Sequence, residues 1–80
     1  MNISEEIAAK CGLCSAVIYE TIEKMGGRCH IRVMELRRAM PVKFGESTIK
    51  KHIRTLLDEG YIAREGEMYD SRGFAYRIAK

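Results

Sequence analysis

The chain has 80 residues and a net charge of +3, which is enough for one domain around a single small core and too short for two. Its 46% hydrophobic and 31% charged residues, without repeats or low-complexity segments, argue against a disordered or fibrous chain. The longest uncharged run, Cys11 to Tyr19, is shorter than the ~20 residues that span a membrane, and no secretory signal precedes it. We therefore expect a single cytoplasmic domain over residues 1–80 that does not contact a membrane.

The first 25 residues carry a helical pattern. Apolar residues recur every three or four positions and form one stripe, comprising Ile7, Cys11, Cys14, Ile18, Ile22 and Met25. Gly12 is expected to divide this region into a short first turn and a main helix from about Leu13 to Met25. The segment "GGRCH" follows, and one of its glycines is expected to supply a left-handed C-cap.

A second, short helix is predicted at about residues 32–39. Its expected buried side chains are Val33, Leu36 and Met40. Pro41 ends this helix because the residue before a proline is disfavoured in the α conformation. The turn "PVKFGE" comes next, and Phe44 within it is expected to be buried.

A third helix is predicted at about residues 47–59, with Ser47 or Glu46 as its cap and Gly60 as its end. At 100° per residue, its buried side comprises Ile49, Ile53 and Leu56, with His52 and Leu57 at the edges. Its outward side is polar and basic. A face of this kind suits a helix that enters the major groove of DNA, and an ordinary solvated amphipathic helix is the alternative.

The pattern changes after Gly60 to short β-prone segments. "YIARE" and "FAYRIAK" predict two strands joined by a polar tip at residues 66–73. In the second strand the alternating residues Phe74, Tyr76 and Ile78 are expected to face the core, which leaves Arg77 outward. The predicted fold class is mainly α with a small β-hairpin, namely three helices in a helix-turn-helix arrangement plus a C-terminal wing.

Several segments resemble the winged helix-turn-helix DNA-binding domains of bacterial and phage transcription regulators and phage replication initiators. "VMELRRAMPVKFGESTIKKHIRTLLDEGYIAR" is similar to their scaffold and recognition helices with the closing pattern L-x-x-x-G-(hydrophobic)-I-x-R. "GLCSAVIYETI" resembles their first helix, and "YDSRGFAYRI" resembles a wing that returns to the sheet. The resemblance implies a recognition helix at about 47–59, a wing at about 61–79 and double-stranded DNA as the partner, in transcription regulation or replication initiation.

The charge distribution also favours a polyanion. Residues 28–54 carry eight basic and two acidic side chains, whereas residues 1–25 and 55–80 are weakly acidic. Clustered cations displace counterions condensed on phosphate, while hydroxyls and cations on a helix can reach phosphates and base edges. The candidate DNA-binding residues are Ser47, Thr48, Lys50, Lys51, Arg54, Thr55, Arg72 and Arg77.

Four residues have the chemistry of zinc ligands: Cys11, Cys14, Cys29 and His30. The first two fall on the apolar stripe, where cysteine behaves as a small buried hydrophobe. We therefore expect no metal, no cofactor and reduced thiols. His52 is expected to be a packed or capping residue rather than a ligand.

No phosphate-binding loop, HExxH motif, nucleophile elbow or paired-carboxylate arrangement occurs in the sequence, so we expect no enzymatic activity. The alternative function is a winged-helix protein–protein adaptor, including a small phage-type inhibitor that docks on a nucleic-acid-handling machine. The two functions differ in salt dependence, because DNA binding weakens steeply with ionic strength and a protein interface does so far less.

Overall fold

The computed structural model describes residues 2–31, 33–64 and 74–79. For residues 28–31, 33–34 and 74–75 it describes the backbone only. In chain order the elements are α1 (Ile3–Cys11), α2 (Leu13–Lys24), β1 (Arg28–Ile31), α3 (Val33–Ala39), α4 (Glu46–Asp58), β2 (Ile62–Arg64) and β3 (Phe74–Ile78). The chain is mainly helical with a small antiparallel sheet, as predicted. The prediction of three helices is wrong, because the described residues form four, and a third strand accompanies the two that were predicted.

The additional helix is α1, which replaces the short first turn predicted before Gly12. The side chain of Asn2 caps it by accepting a 2.8 Å hydrogen bond from the backbone N–H of Glu5. Glu5 and Glu6 occupy its first turn, where carboxylates interact favourably with the helix dipole. With Ile7 fully buried, this local capping extends the helix over the whole segment before Gly12.

Helix α2 is the central element and contacts α1, α3, α4, β1 and β3. All side chains of residues 14–19 are buried, so this stretch has no solvated face. The helix ends in a Schellman motif: Gly26 donates its N–H to Glu23 O at 3.0 Å, and Gly27 donates to Ile22 O at 3.1 Å. The predicted glycine C-cap is confirmed. Met25, in contrast, was predicted to belong to the apolar stripe. In the structure it lies beyond the last helical turn, with 38% of its surface exposed.

The three strands form one antiparallel sheet in the order β1-β3-β2. The predicted hairpin corresponds to β2 and β3, with Ile62 opposite Ile78. Strand β1 was not predicted; in it, Arg28 lies opposite Arg77. Tyr76 is buried, Ile78 packs on the core and Arg77 is exposed, as the alternation predicted. The side chain of Phe74 and the tip at residues 66–73 lie outside the described residues.

The end of β3 connects the sheet to the C-terminal turns of two helices. Ile78 donates its N–H to Gly27 O, just after α2, and Ala79 donates to Tyr61 O, just after α4, both at 2.9 Å. Helix α4 also ends in a Schellman motif, in which Gly60 (φ +77°) donates to Leu57 O and Tyr61 donates to Leu56 O. Gly60 therefore ends the helix as predicted, and these contacts set the position of β2 and β3 relative to α4.

The core lies between α1, α2, α4 and the inner face of the sheet. Its largest fully buried side chains are Tyr19, Tyr61, Ile7, Ile18, Ile22, Leu36, Met40, Ile49, Leu56 and Ile62. Leu36 and Met40 are buried as predicted, while the side chain of Val33 lies outside the described part. Phe44 was predicted to be buried; it packs against this core but is only partly buried. None of the helices in the described ranges combines the length and apolar character that crossing a membrane requires.

Candidate nucleic-acid interface

Helix α4 starts one residue earlier than predicted, and its cap differs from the prediction. Gly45 is the N-cap in an extended conformation (φ −67°, ψ 152°), and its carbonyl accepts the N–H of Ile49 at 3.0 Å. No side chain caps this helix. The prediction that Ser47 or Glu46 is the cap is therefore wrong, because both lie in the first helical turn. Glycine is only a few tenths of a kcal/mol worse than Ser or Asn as an N-cap, so the helix tolerates it.

The apolar side of α4 packs on α2 and α3 as the sequence predicts. Ile49, Ile53 and Leu56 are buried, and His52 and Leu57 are partly buried at the edges. Nδ1 of His52 lies 2.8 Å from Oγ of the fully buried Ser15 in α2, and the two atoms share a hydrogen bond. His52 is thus a packed residue, as predicted.

We call the exposed residues on the opposite side of this helix the α4 outer face: Ser47, Thr48, Lys50, Lys51 and Arg54. The structure places these five predicted site residues on one continuous helical surface. Thr55, also predicted, is partly buried, and its hydroxyl donates to Lys51 O at 3.1 Å. Because that proton is used within the helix, Thr55 is a weaker candidate for contacting a ligand than the other five.

Two of the three cations of the α4 outer face form ion pairs along the helix. Lys50 Nζ lies 3.2 Å from Glu46 Oε1, and Arg54 Nε lies 3.3 Å from Asp58 Oδ1. Lys51 makes no ion pair with any side chain in the described ranges. By sequence alone the three charges are equivalent, whereas within residues 2–31, 33–64 and 74–79 Lys51 is the cation of this face without a carboxylate at contact distance.

The turn between α3 and α4 contains contacts that sequence reasoning missed. Lys43 Nζ donates to the carbonyl oxygens of Arg37, Arg38 and Met40 at 3.0, 2.8 and 3.1 Å. Arg37 Nε donates to Phe44 O across the same turn. The sequence does contain a signal for the contacts of Lys43, because a lysine that follows a proline-terminated helix can reach the last carbonyls of that helix.

The predicted wing is only partly covered by the described residues. Arg77 is exposed on β3, opposite Ala63 of β2, close to the point where Ala79 binds Tyr61 after α4. Arg72 lies outside the described residues, so its predicted contact stays a prediction. Among the described residues, the predicted site therefore comprises two parts: the α4 outer face, and Arg77 on the central strand β3.

The cysteines of the first helical region lie against the core. Cys14 is buried in α2 and Cys11 is partly buried at the end of α1. Burial raises the pKa of both thiols, and for Cys11 the nearby Glu59 carboxylate raises it further. A raised pKa disfavours the thiolate, which is the form that binds metals. Within the described part of the chain, no three His, Cys, Asp or Glu residues are placed to hold a metal ion, and the side chains of Cys29 and His30 lie outside that part.

Comparisons with protein-family models, curated proteins and solved structures found no match to this chain. The geometry of α4, the turn before it and the sheet after it is therefore the basis for assigning a function.

Proposed function

We propose that this protein is a winged helix-turn-helix module that binds double-stranded DNA. Helix α4 is the recognition helix, α3 is the scaffold helix before it, and the β2–β3 hairpin is the wing. We place its activity in the cytoplasm, in transcription regulation or replication initiation of a bacterium or mobile element. The observation that carries the proposal is the two-sided character of α4, which buries one apolar side and exposes hydroxyls and cations along the other.

The exposed residues suit the surface of a DNA groove. Ser47 and Thr48 lie in the first turn, where backbone N–H groups and the helix dipole attract phosphate. Lys51 and Arg54 follow about one turn later, at a position from which long side chains reach base edges or flanking phosphates. The pairing of Arg54 with Asp58 is compatible with this role, because exposed ion pairs contribute only about 0–1 kcal/mol and can be exchanged for phosphate.

A protein-binding adaptor is the second candidate, and one observation favours it. Glu46 and Asp58 reduce the positive charge that the α4 outer face presents. A protein partner would make binding much less sensitive to salt than a DNA partner would.

The test is selection from random duplex DNA, followed by affinity measurements across a salt series. We expect affinity to fall steeply with salt, and we expect Lys51→Ala to make the slope of log affinity against log salt shallower by about one unit. Arg54→Ala should cost about 1–3 kcal/mol of affinity if the guanidinium binds guanine. Glu23→Ala, an exposed change on α2, is the control and should leave binding unchanged. If folded Lys51→Ala and Arg54→Ala proteins bind duplex DNA as well as wild type at every salt concentration, the adaptor function replaces this one.

A further inference from the structure

The turn between α3 and α4 begins at a position where the helix cannot continue. Pro41 has no backbone N–H, so the carbonyl of Arg37 lacks the donor four residues ahead that an α-helix would supply. Lys43 replaces it. Its ammonium group has three N–H donors, and the structure gives it three acceptors at hydrogen-bond distance, the carbonyls of Arg37, Arg38 and Met40. All of the donors of Lys43 are therefore used at the C-terminal end of α3.

The other end of the turn is held from the same helix. Arg37, in the last turn of α3, donates from Nε to the carbonyl of Phe44. Phe44 itself packs against the core, and the next residue, Gly45, is the N-cap of α4. Lys43 and Arg37 thus hold the turn at the end of α3 and again at Phe44, one residue before the N-cap of α4.

We propose that Lys43 and Arg37 are positioning residues that orient α4 relative to α3, and that Lys43 does not serve as a phosphate contact. This inference rests on the proposed DNA-binding function and deepens it. A recognition helix must enter the groove at a defined angle, and the rigidity of the turn before it sets that angle. A phosphate contact by Lys43 would require the ammonium to release at least one carbonyl. One of the eight cations in residues 28–54, Lys43, is accordingly assigned to the protein itself rather than to DNA.

The experiment compares Lys43→Met with Lys51→Met, which make the same chemical change in the turn and on the α4 outer face. Affinity for a duplex of about 20 base pairs that carries the sequence enriched by selection from random DNA is measured across a salt series at a temperature at which each variant is folded. Lys43→Met should bind at least about five-fold more weakly than wild type with an unchanged salt slope, because the helix is misplaced but no phosphate contact is lost. Lys51→Met should make the slope shallower by about one unit.

A second readout needs no DNA. Amide hydrogen exchange at Met40 and Ile49, whose N–H groups bind Leu36 O and Gly45 O at the two ends of the turn, reports local opening. We expect Lys43→Met to accelerate exchange at both amides at least about ten-fold and Lys51→Met to leave it unchanged. Lys43→Gln keeps neutral donors and serves if Lys43→Met does not fold; it should accelerate exchange less and also keep the wild-type salt slope.

The outcomes separate this inference from the proposed function. A shallower slope for Lys43→Met with unchanged exchange would make Lys43 a phosphate contact and overturn the inference. Wild-type affinity in a folded Lys43→Met protein would overturn it as well. Lys43 would then affect only the stability of the fold and not the orientation of α4. If wild type itself does not bind duplex DNA, the proposed function fails, and accelerated exchange in Lys43→Met still supports the role of Lys43 in holding α4.

Discussion

At the scale of single residues, the contact between Ser15 and His52 joins α2 to α4 within the core. Ser15 has no exposed surface, and its Oγ lies 2.8 Å from Nδ1 of His52 and 3.4 Å from Cys11 O. A buried hydroxyl without such partners would destabilise the fold by about 1–3 kcal/mol. The hydrogen bond therefore satisfies a polar group at the interface between the central helix and the helix that carries the candidate site.

We expect this hydrogen bond to appear as a coupling energy of about 1 kcal/mol in a double-mutant cycle of Ser15→Ala and His52→Ala, measured by urea unfolding. The matched control is Thr21→Val combined with His52→Ala. Thr21 is also buried in α2, but its hydroxyl donates to Val17 O in the same helix, so its coupling to His52 should stay below about 0.5 kcal/mol. Equal coupling in the two cycles would mean that the 2.8 Å contact contributes nothing specific.

Helical periodicity located His52 at the edge of the buried side of its helix, but it could not identify Ser15 as the partner. The two residues are 37 positions apart, and only the packing of α2 on α4 brings them together. The same reason explains the pairing of Lys10 with Glu59, which lie 3.2 Å apart across α1 and the end of α4. Contacts within one helix, such as Arg54 with Asp58, follow from i,i+4 spacing and are readable from sequence.

At the scale of elements, Gly12 separates two helices that would otherwise be continuous. Its backbone (φ +101°, ψ 162°) lies in a region that is essentially restricted to glycine. A Cβ at this position would be 3.5 Å from Cε1 of His52, an ordinary contact, so the cost of a side chain arises from the backbone rather than from crowding.

Gly12→Ala should therefore lower the free energy of unfolding by about 1–3 kcal/mol, as measured by urea denaturation. Gly45→Ala is the control, since Gly45 has φ −67° and its added Cβ would be 4.0 Å from Thr48 Oγ1. That change should cost less than about 1 kcal/mol through weaker N-capping. A Gly12→Ala protein as stable as wild type would show that α1 and α2 can be oriented differently without loss.

The elements that sequence analysis identified are those whose signals are local. Helices α2 and α4 have clear periodicity, and both end in glycine turns that the sequence marks. Strand β1 has only the four residues Arg28–Ile31, too few for a recognisable alternation, and it forms because β3 pairs with it. Its pairing partner lies more than 40 residues away in the sequence, so the residues of β1 alone do not identify it as a strand.

At the scale of the whole molecule, burial makes stability sensitive to alkaline pH. Burial raises the pKa of Cys14, Tyr19 and Tyr61, since a charged thiolate or phenolate is poorly solvated in the core. A group with a raised pKa in the folded state contributes stability below its ordinary pKa and loses it as pH rises through the folded value. We expect the urea concentration at the unfolding midpoint to decrease as the pH rises from about 8.5 to 10.5, the range in which free Cys and Tyr ionise. The double variant Cys11→Ala/Cys14→Ala should remove the earliest part of that fall, because burial raises the pKa of both thiols, and an identical pH profile in this variant would exclude the thiols as its cause.

The charge of the α4 outer face depends on carboxylates as well as cations, and this leads to a prediction for Asp58. Asp58 pairs with the exposed Arg54, so Asp58→Asn should free the guanidinium for phosphate. We expect duplex DNA to bind several-fold more tightly with a salt slope steeper by up to about one unit, while stability changes by less than about 0.5 kcal/mol. In an Arg54→Ala background the same change should leave the slope unaltered, because no paired cation is released. Glu23→Gln removes an equal charge from α2, and an equal gain in this control would attribute the effect to net charge alone.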